Sequence, residues 1–296
     1  SASTSSSRAS RSFIEVADMG KKFTVGSVLF RIFLYFYAVI SLYPIVWMFF
    51  YSFKNNSEIF VTNPFGFPKI FHWENYVKAW TTFNVPTYFM NSLKVTLVVI
   101  AVVVVISTMF AYAVARLRFK GSDSLRMSTM IGMFLPLQCI MIPLAVLVRD
   151  LHISNTLWAV IVPYIAFNIP FAVMVIYGYM RSLPYELEES ACIDGASLWT
   201  CFIKVIVPNV KSAISTVVIF VFMNVWNEYN LALVLLNRDA IKTLPLGMIF
   251  FKGEHTTDWG AMGATMVIAS IPTIIIYILF SAQVEKAMTV SGAVKG

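Results

Sequence analysis

Charge is scarce in this chain. Only 12% of its 296 residues are Asp, Glu, Lys or Arg, about half of the roughly 25% usual in soluble domains. That deficit excludes an ordinary soluble fold and points to the membrane class. Cysteine is scarce too. Cys139, Cys192 and Cys201 form neither a paired framework nor a metal-ligand spacing, so no disulfide and no zinc site is predicted. His152 and His255 stand alone in connections and are assigned no role. The polar constellation of His and acids that an integral-membrane enzyme needs is missing. The net charge of +7 is no nucleic-acid signal, because the basic residues flank apolar runs and form no stripe with interleaved aromatics. Ser1–Ser12 are Ser-rich and lack an apolar core, and are expected to be neither a signal peptide nor a folded element.

What the chain has is long apolar runs. Six are long enough to cross a hydrocarbon core of roughly 30 Å as helices. They cover Val28–Tyr51, Phe89–Ala115, Ser128–Val148, Leu157–Tyr179, Ala213–Leu236 and Met262–Ala282. The short alternating segments of a closed β-barrel are not seen. The expected fold is therefore an all-α integral membrane protein of six transmembrane helices: a tail over 1–27, a transmembrane domain over 28–284 and a second tail over 285–296. Six crossings put both termini on one side. Arg8, Arg11, Lys21, Lys22 and Arg31 precede the first span, Arg116, Arg118, Lys120 and Arg126 crowd the short second connection, and Arg181, Lys204 and Lys211 frame the fourth. The opposite connections are longer and mix Lys54, Lys69, Lys78, Arg149, Arg238, Lys242 and Lys252 with Glu58, Glu74, Asp239, Glu254 and Asp258. The bias of Lys and Arg makes the termini and the second and fourth connections cytoplasmic. The external segment from Lys54 to Thr87 carries Trp73, Tyr76 and Trp80. These rings suit either an interfacial helix or a docking surface for an external partner.

The connection over 184–208 is a charged, Gly-punctuated island between apolar runs. Pro184 fits the first turn of a helix, and Glu186, Glu188 and Glu189 then lie near the positive end of its dipole. Gly195 fits the C-terminal cap, and Ser197 the N-cap of a second helix. In that helix Trp199, Phe202, Ile203 and Ile206 fall at i, i+3, i+4 and i+7 as one apolar stripe, and Pro208 is expected to end it. The stripe suits either a groove on another protein or a re-entry helix in the interface.

The spacing narrows this. Glu189-Ser190-Ala191, three residues, Gly195, nine residues and Val205-x-Val207-Pro208 resemble the cytoplasmic signature of ATP-binding-cassette importer permeases, Glu-Ala-Ala, three residues, Gly, nine residues, Ile-x-Leu-Pro. The run Ala111–Gly121, Trp226-Asn227-Glu228-Tyr229 and the terminal Gly292–Gly296 look like the carbohydrate-uptake branch, in particular the shorter six-span permease of maltose-type importers. The resemblance implies the fold of a type I importer permease in a bacterial inner membrane. It further implies a heterodimer with a second permease subunit, a cytoplasmic ATPase dimer and an external sugar-binding protein. The loop becomes the ATPase-docking element, with Glu188, Glu189, Ser190, Ala191, Asp194, Gly195, Trp199, Phe202 and Pro208 in contact. Because the sequence holds no Gly-x-x-x-x-Gly-Lys-Ser/Thr loop, ATP and magnesium are expected on the separate ATPase, and no cofactor on this chain.

In the fifth span Asn224, Asn227 and Glu228 fall at i, i+3 and i+4, with Trp226 and Tyr229 beside them. Ionisable groups inside spans face a cavity or a partner helix. These five residues are the candidate substrate pathway; the competing role is hydrogen bonding between helices, at about 0.6 kcal/mol per contact. Pro136, Gln138, Pro143, Asn168 and Pro170 interrupt spans three and four, as hinges or as packing irregularities. Two other function classes stand as alternatives. An ion-coupled secondary transporter would show inverted repeats, broken helices or several intramembrane acids, whereas Glu228 is the one clear acid in a span. A permease of the same family for a non-sugar solute such as glycerol phosphate has the same pattern.

Overall fold

The computed structural model describes the backbone of residues 25–117, 119–251 and 257–293, and side chains between 28 and 280 apart from 118, 250 and 252–256. The Ser-rich segment, Arg8, Arg11, Lys21, Lys22, Arg118, Lys252, Glu254, His255 and the side chains of the 285–296 tail lie outside the described residues. The chain divides into two units, the first ending at Phe50 and the second beginning at Tyr51. The described residues of the first lie in one helix, α1 (Val25–Tyr51), which is strongly apolar and carries Pro44.

The second unit holds α2 (Glu74–Thr81), α3 (Val85–Arg116), α4 (Ser122–Ile131), α5 (Leu137–Asp150), α6 (Trp158–Ser182), α7 (Glu186–Ile193), α8 (Leu198–Cys201), α9 (Lys211–Trp226), α10 (Asn230–Leu235) and α11 (Trp259–Ala293). Among the described residues four helices are long and apolar enough to cross a membrane, or up to six spans if each of two bent pairs is counted as one.

The bundle is built on α3, α6 and α9. Small and β-branched side chains recur on α3 every three or four residues, at Val95, Val99, Val103 and Ala111, all buried. Tyr164, Asn168, Ala172, Ile176 and Met180 repeat every four on α6, and Ala213, Val217, Val221 and Val225 on α9. Such stripes let helix backbones approach closely where no water drives association. At α11 the approach is tighter. A Cβ on Gly260 would lie 2.5 Å from the Lys54 carbonyl oxygen, and one on Gly263 2.4 Å from the Tyr51 ring.

Two expected spans are broken. Ser128–Val148 is not one helix: α4, extended by a 3-10 turn to Phe134, meets α5 at 102°. Pro136 disfavours the helical region for the residue before it, and Leu135 is extended at φ −75°, ψ 116°. The fifth span stops at Trp226, and a separate short helix, α10, follows the break at 227–229.

The connections over 52–75 and 237–247 are held by polar contacts. Lys54 is buried, and its Nζ donates to the carbonyls of Asn63 (2.6 Å) and Gly66 (2.7 Å). Glu58 Oε1 accepts from the Lys69 backbone N–H at 2.7 Å. Burial pushes the Lys54 amine down, opposed by the nearby Glu58 carboxylate. On the other connection Tyr88 donates to Asp239 Oδ1 (2.8 Å), and Asn91 Nδ2 donates to the carbonyls of Ala240 and Lys242 (3.0 Å each). Lys242, bonded to the Asp239 carboxylate at 3.0 Å, holds that acid below its usual range.

Two measurements check this packing. Gly260→Ala, whose methyl meets backbone, is expected to lose about 1–3 kcal/mol by overpacking, read as a lower Tm in detergent. Gly178→Ala on α6, with nothing within 4 Å of the new carbon, keeps the parent Tm. The second concerns pH. The folded Asp239 pKa lies below 3.8, so its contribution is complete above that value and disappears as pH falls through it. Hydrogen exchange over 237–247 is expected to rise in that acid window, and Asp239→Asn to flatten the dependence.

Candidate functional site

The connection over 183–208 is organised by one cation. Arg116 ends α3 with its side chain 1% exposed. Its Nη1 donates to the Leu183 carbonyl and its Nη2 to the Pro184 carbonyl, both at 3.1 Å. Its Nε lies 2.9 Å from Glu188 Oε2, and its guanidinium 4.2 Å over the Tyr185 ring. α6 ends here because Pro184 disfavours the helical region for the residue before it, leaving Leu183 extended at ψ 138°. Pro184 therefore stands outside α7, whose N-cap is Tyr185, and not in its first turn.

α7 closes as a Schellman motif. The Gly195 N–H bonds the Cys192 carbonyl at 3.0 Å and the Ala196 N–H bonds the Ala191 carbonyl at 2.9 Å. Gly195 takes φ +77°, a conformation that L side chains rarely adopt. Ser197 caps α8 by accepting from the Thr200 N–H at 3.2 Å. The helix then widens into a π turn over Phe202–Ile206, where the Val207 N–H reaches the Phe202 carbonyl. Pro208 does not end the helix; one more turn runs to Asn209. The π turn just before Pro208 is a local rearrangement of the bond ladder where the proline can supply no N–H.

The expected stripe is partly buried and partly exposed, with the Trp199 and Phe202 rings 5.4 Å apart. Phe202 and Ile206 are buried, Phe202 against Tyr112 with ring centroids 5.0 Å apart, while Trp199 and Ile203 are exposed. Of the nine residues expected to dock, Glu189, Ser190, Asp194, Gly195, Trp199 and Pro208 are exposed. The other three face the bundle: Glu188 is held by Arg116, Ala191 is buried on the inner side of α7, and Phe202 is part of the core, so these fasten the loop to the bundle. Ile193, 86% exposed, and Leu198 belong to the outer face although the sequence did not single them out. Arg116 was legible only as a topology charge.

The second site lies inside the bundle. Tyr164 of α6 donates its hydroxyl to Glu228 Oε2. Asn168 Nδ2 donates to the Tyr164 carbonyl at 2.8 Å, and Asn224 Nδ2 to Asn168 Oδ1 at 3.3 Å. Asn168 lies roughly 15 Å along α6 from its N-terminal end, about half of a roughly 30 Å hydrocarbon core. Glu228 also accepts from the backbone N–H groups of Leu231 (2.8 Å) and Ala232 (3.2 Å), so it caps α10 across the break. Asn224, Asn227 and Glu228 thus do not share one helical face: α9 has ended before Asn227. Trp226 is corrected as well. It is buried on the far side, its indole Nε1 donating to the Ala269 carbonyl of α11 at 3.1 Å. Tyr229 is half-buried against the core. Asn224 and Asn227 are exposed, with Asn168 behind Asn224. Tyr164 and Asn168 complete the cluster. Their signal was a buried four-residue repeat on α6 that carries polar groups. Among the described residues no group of His, Cys, Asp and Glu is placed to hold a metal ion.

Residues 104–290 match the family of binding-protein-dependent transport system inner membrane components. This chain belongs to that family. The permease is 34% identical to the probable ABC transporter permease protein YurM of Bacillus subtilis, over 96% of this chain and 94% of that one. It is 33% identical to the diacetylchitobiose uptake system permease protein NgcG of Streptomyces coelicolor, covering 86% and 84%. It is 32% identical to the multiple sugar-binding transport system permease protein MsmG of Streptococcus mutans, covering 87% and 93%. The fold is shared with a chain of a crystallised bacterial ABC transporter that imports the acidic polysaccharide alginate, at TM-score 0.74, 22% identity and coverage of 87% and 96%. The permease is thus an importer subunit of the inner membrane.

Removing one partner of a buried ion pair typically costs about 3–5 kcal/mol. Arg116→Ala is expected to lower Tm and to speed protease cleavage between 183 and 197. Arg116→Lys, which keeps the charge and loses the fork, falls between parent and alanine variant. A parent-like cleavage rate in Arg116→Ala would remove Arg116 from this role.

Proposed function

We propose that the permease passes a sugar or oligosaccharide, delivered by an external binding protein, across a bacterial inner membrane by alternating access. A separate ATPase dimer, carrying ATP and magnesium, docks on the exposed face of α7 and α8. A second permease subunit completes the pathway, and both termini are cytoplasmic. One observation carries this reading: an exposed, capped helical loop is fastened through a buried charge to the ends of two spans. ATPase closure on Glu189, Ser190, Asp194, Ile193 and Trp199 is transmitted as rigid-body displacement of α3 and α6, because Arg116 leaves the loop no independent hinge. The two broken spans supply elements with two arrangements.

The solute class is supported by the relatives, two of which are described as diacetylchitobiose and multiple-sugar permeases. It is also supported by the amides of Asn224, Asn227 and Asn168, each offering donors and an acceptor suited to hydroxyl-rich ligands. Glu228 acts indirectly by holding α10 in place.

The test uses Ser190→Cys in a background with Cys139, Cys192 and Cys201 replaced by serine. Cross-linking to the ATPase is expected to abolish ATP-driven uptake in vesicles, with recovery on reduction. Full cross-linking with unchanged uptake would sink the coupling role. Uptake sensitive to uncouplers but independent of ATP would favour an ion-coupled mechanism instead.

A further inference from the structure

The outward face of α2 is apolar where a helix facing water would be charged. Trp73, Val77 and Trp80 fall at i, i+4 and i+7 and are each more than half exposed, while Asn75 and Ala79 on the opposite face are buried. α2 runs along α11. Near its start, a Cβ on Gly260 would meet the Asn75 side chain at 2.6 Å. Near its end, Tyr76, Val77, Trp80 and Thr81 enclose with Ile268 a groove of about 400 Å³. Gly260 and Ile268 are separated by roughly 12 Å of helical rise. α2 therefore descends beside the last span and does not rest above it.

The groove's chemistry is restrictive. The Tyr76 hydroxyl is paired with Ser52 Oγ at 2.8 Å, and the Thr81 hydroxyl donates to the Val77 carbonyl at 2.8 Å. Both hydroxyls in its wall are already bonded, which suits methylene groups better than a polar ligand. Ile268 is also the first residue of a stripe on α11, followed at i+3, i+7 and i+10 by Ile271, Ile275 and Ile278, all exposed. Such a face suits hydrocarbon. The groove is continuous with it, and tryptophans favour the headgroup level.

We propose that the groove between α2 and α11 is a lipid site, taking one acyl chain of a phospholipid with Trp73 and Trp80 at the level of its headgroup. The leaflet, the external one, rests on the topology proposed above; the acyl site does not. A photoreactive benzoylphenylalanine replaces Val77 in the assembled transporter, held in native-lipid nanodiscs. Irradiation is expected to add the mass of one phospholipid to this chain, several-fold more often than the same group placed at Ile193 on the cytoplasmic loop. In brominated-lipid nanodiscs, Trp80→Phe is expected to reduce quenching of the total tryptophan emission, with uptake unchanged. Cross-linking of the Val77 probe to the second permease subunit or to the binding protein would overturn the proposal. So would equal lipid labelling at both positions. Either failure leaves the ATPase cross-linking test above untouched.

Discussion

One guanidinium ties the long helices of this protein to the loop over 184–208. Arg116 is buried where α3, the end of α6 and α7 converge, and a buried charge is tolerated only when its donors are satisfied. The two carbonyls at the exit of α6 accept from its Nη groups, and Glu188, near the start of α7, stands 2.9 Å from its Nε as counter-ion. The prolyl residue that ends α6 leaves carbonyls facing the arginine, and the arginine balances the charge of the partly buried Glu188. The loop's outer face is presented in a fixed orientation because its inner face is bonded in this way.

The same economy of polar groups explains the interior. Backbone freed by a break inside a bundle must find partners within the protein. At 227–229 the Glu228 carboxylate takes that part, accepting from two N–H groups of α10 and from Tyr164 of α6. It joins three elements at one point, and the exposed amides of Asn224 and Asn227 stand beside it. At 132–136 the break is made by Pro136 and Gly132, whose missing side chain leaves room for the Pro170 ring of α6. The break at 227–229 is bonded by side chains of the bundle, whereas Phe134 and Leu135 at the other break are exposed.

Much of the fold was legible in the residues. Four of the six spans stand as uninterrupted helices whose apolar composition and length admit no other stable state in hydrocarbon. The turn at Gly195 and the cap at Ser197 follow from local stereochemistry, and the structure has both. Helix ends were less legible. The π turn at Phe202–Ile206 and the further turn to Asn209 carry the helix past the expected stop at Pro208, and Phe202, in ring contact with Trp199 at 5.4 Å, also reaches Tyr112 in the core. Likewise Asn227 and Glu228 continue the α9 pattern in the sequence but lie beyond its end.

The sequence by itself determined the class of molecule, the number of apolar runs, the cytoplasmic signature and the local turns, since each depends on composition or on residues within a few positions. Only the tertiary structure decided which side chains of that signature face outward, because the answer rests on Arg116, 67 residues before its first carbonyl partner. It also decided that Trp226 packs on α11 while Tyr164 and Asn168 join the polar cluster, contacts made across 43 to 64 residues. Local rules choose helices and caps; which faces meet is settled by where buried charge and broken backbone find their partners.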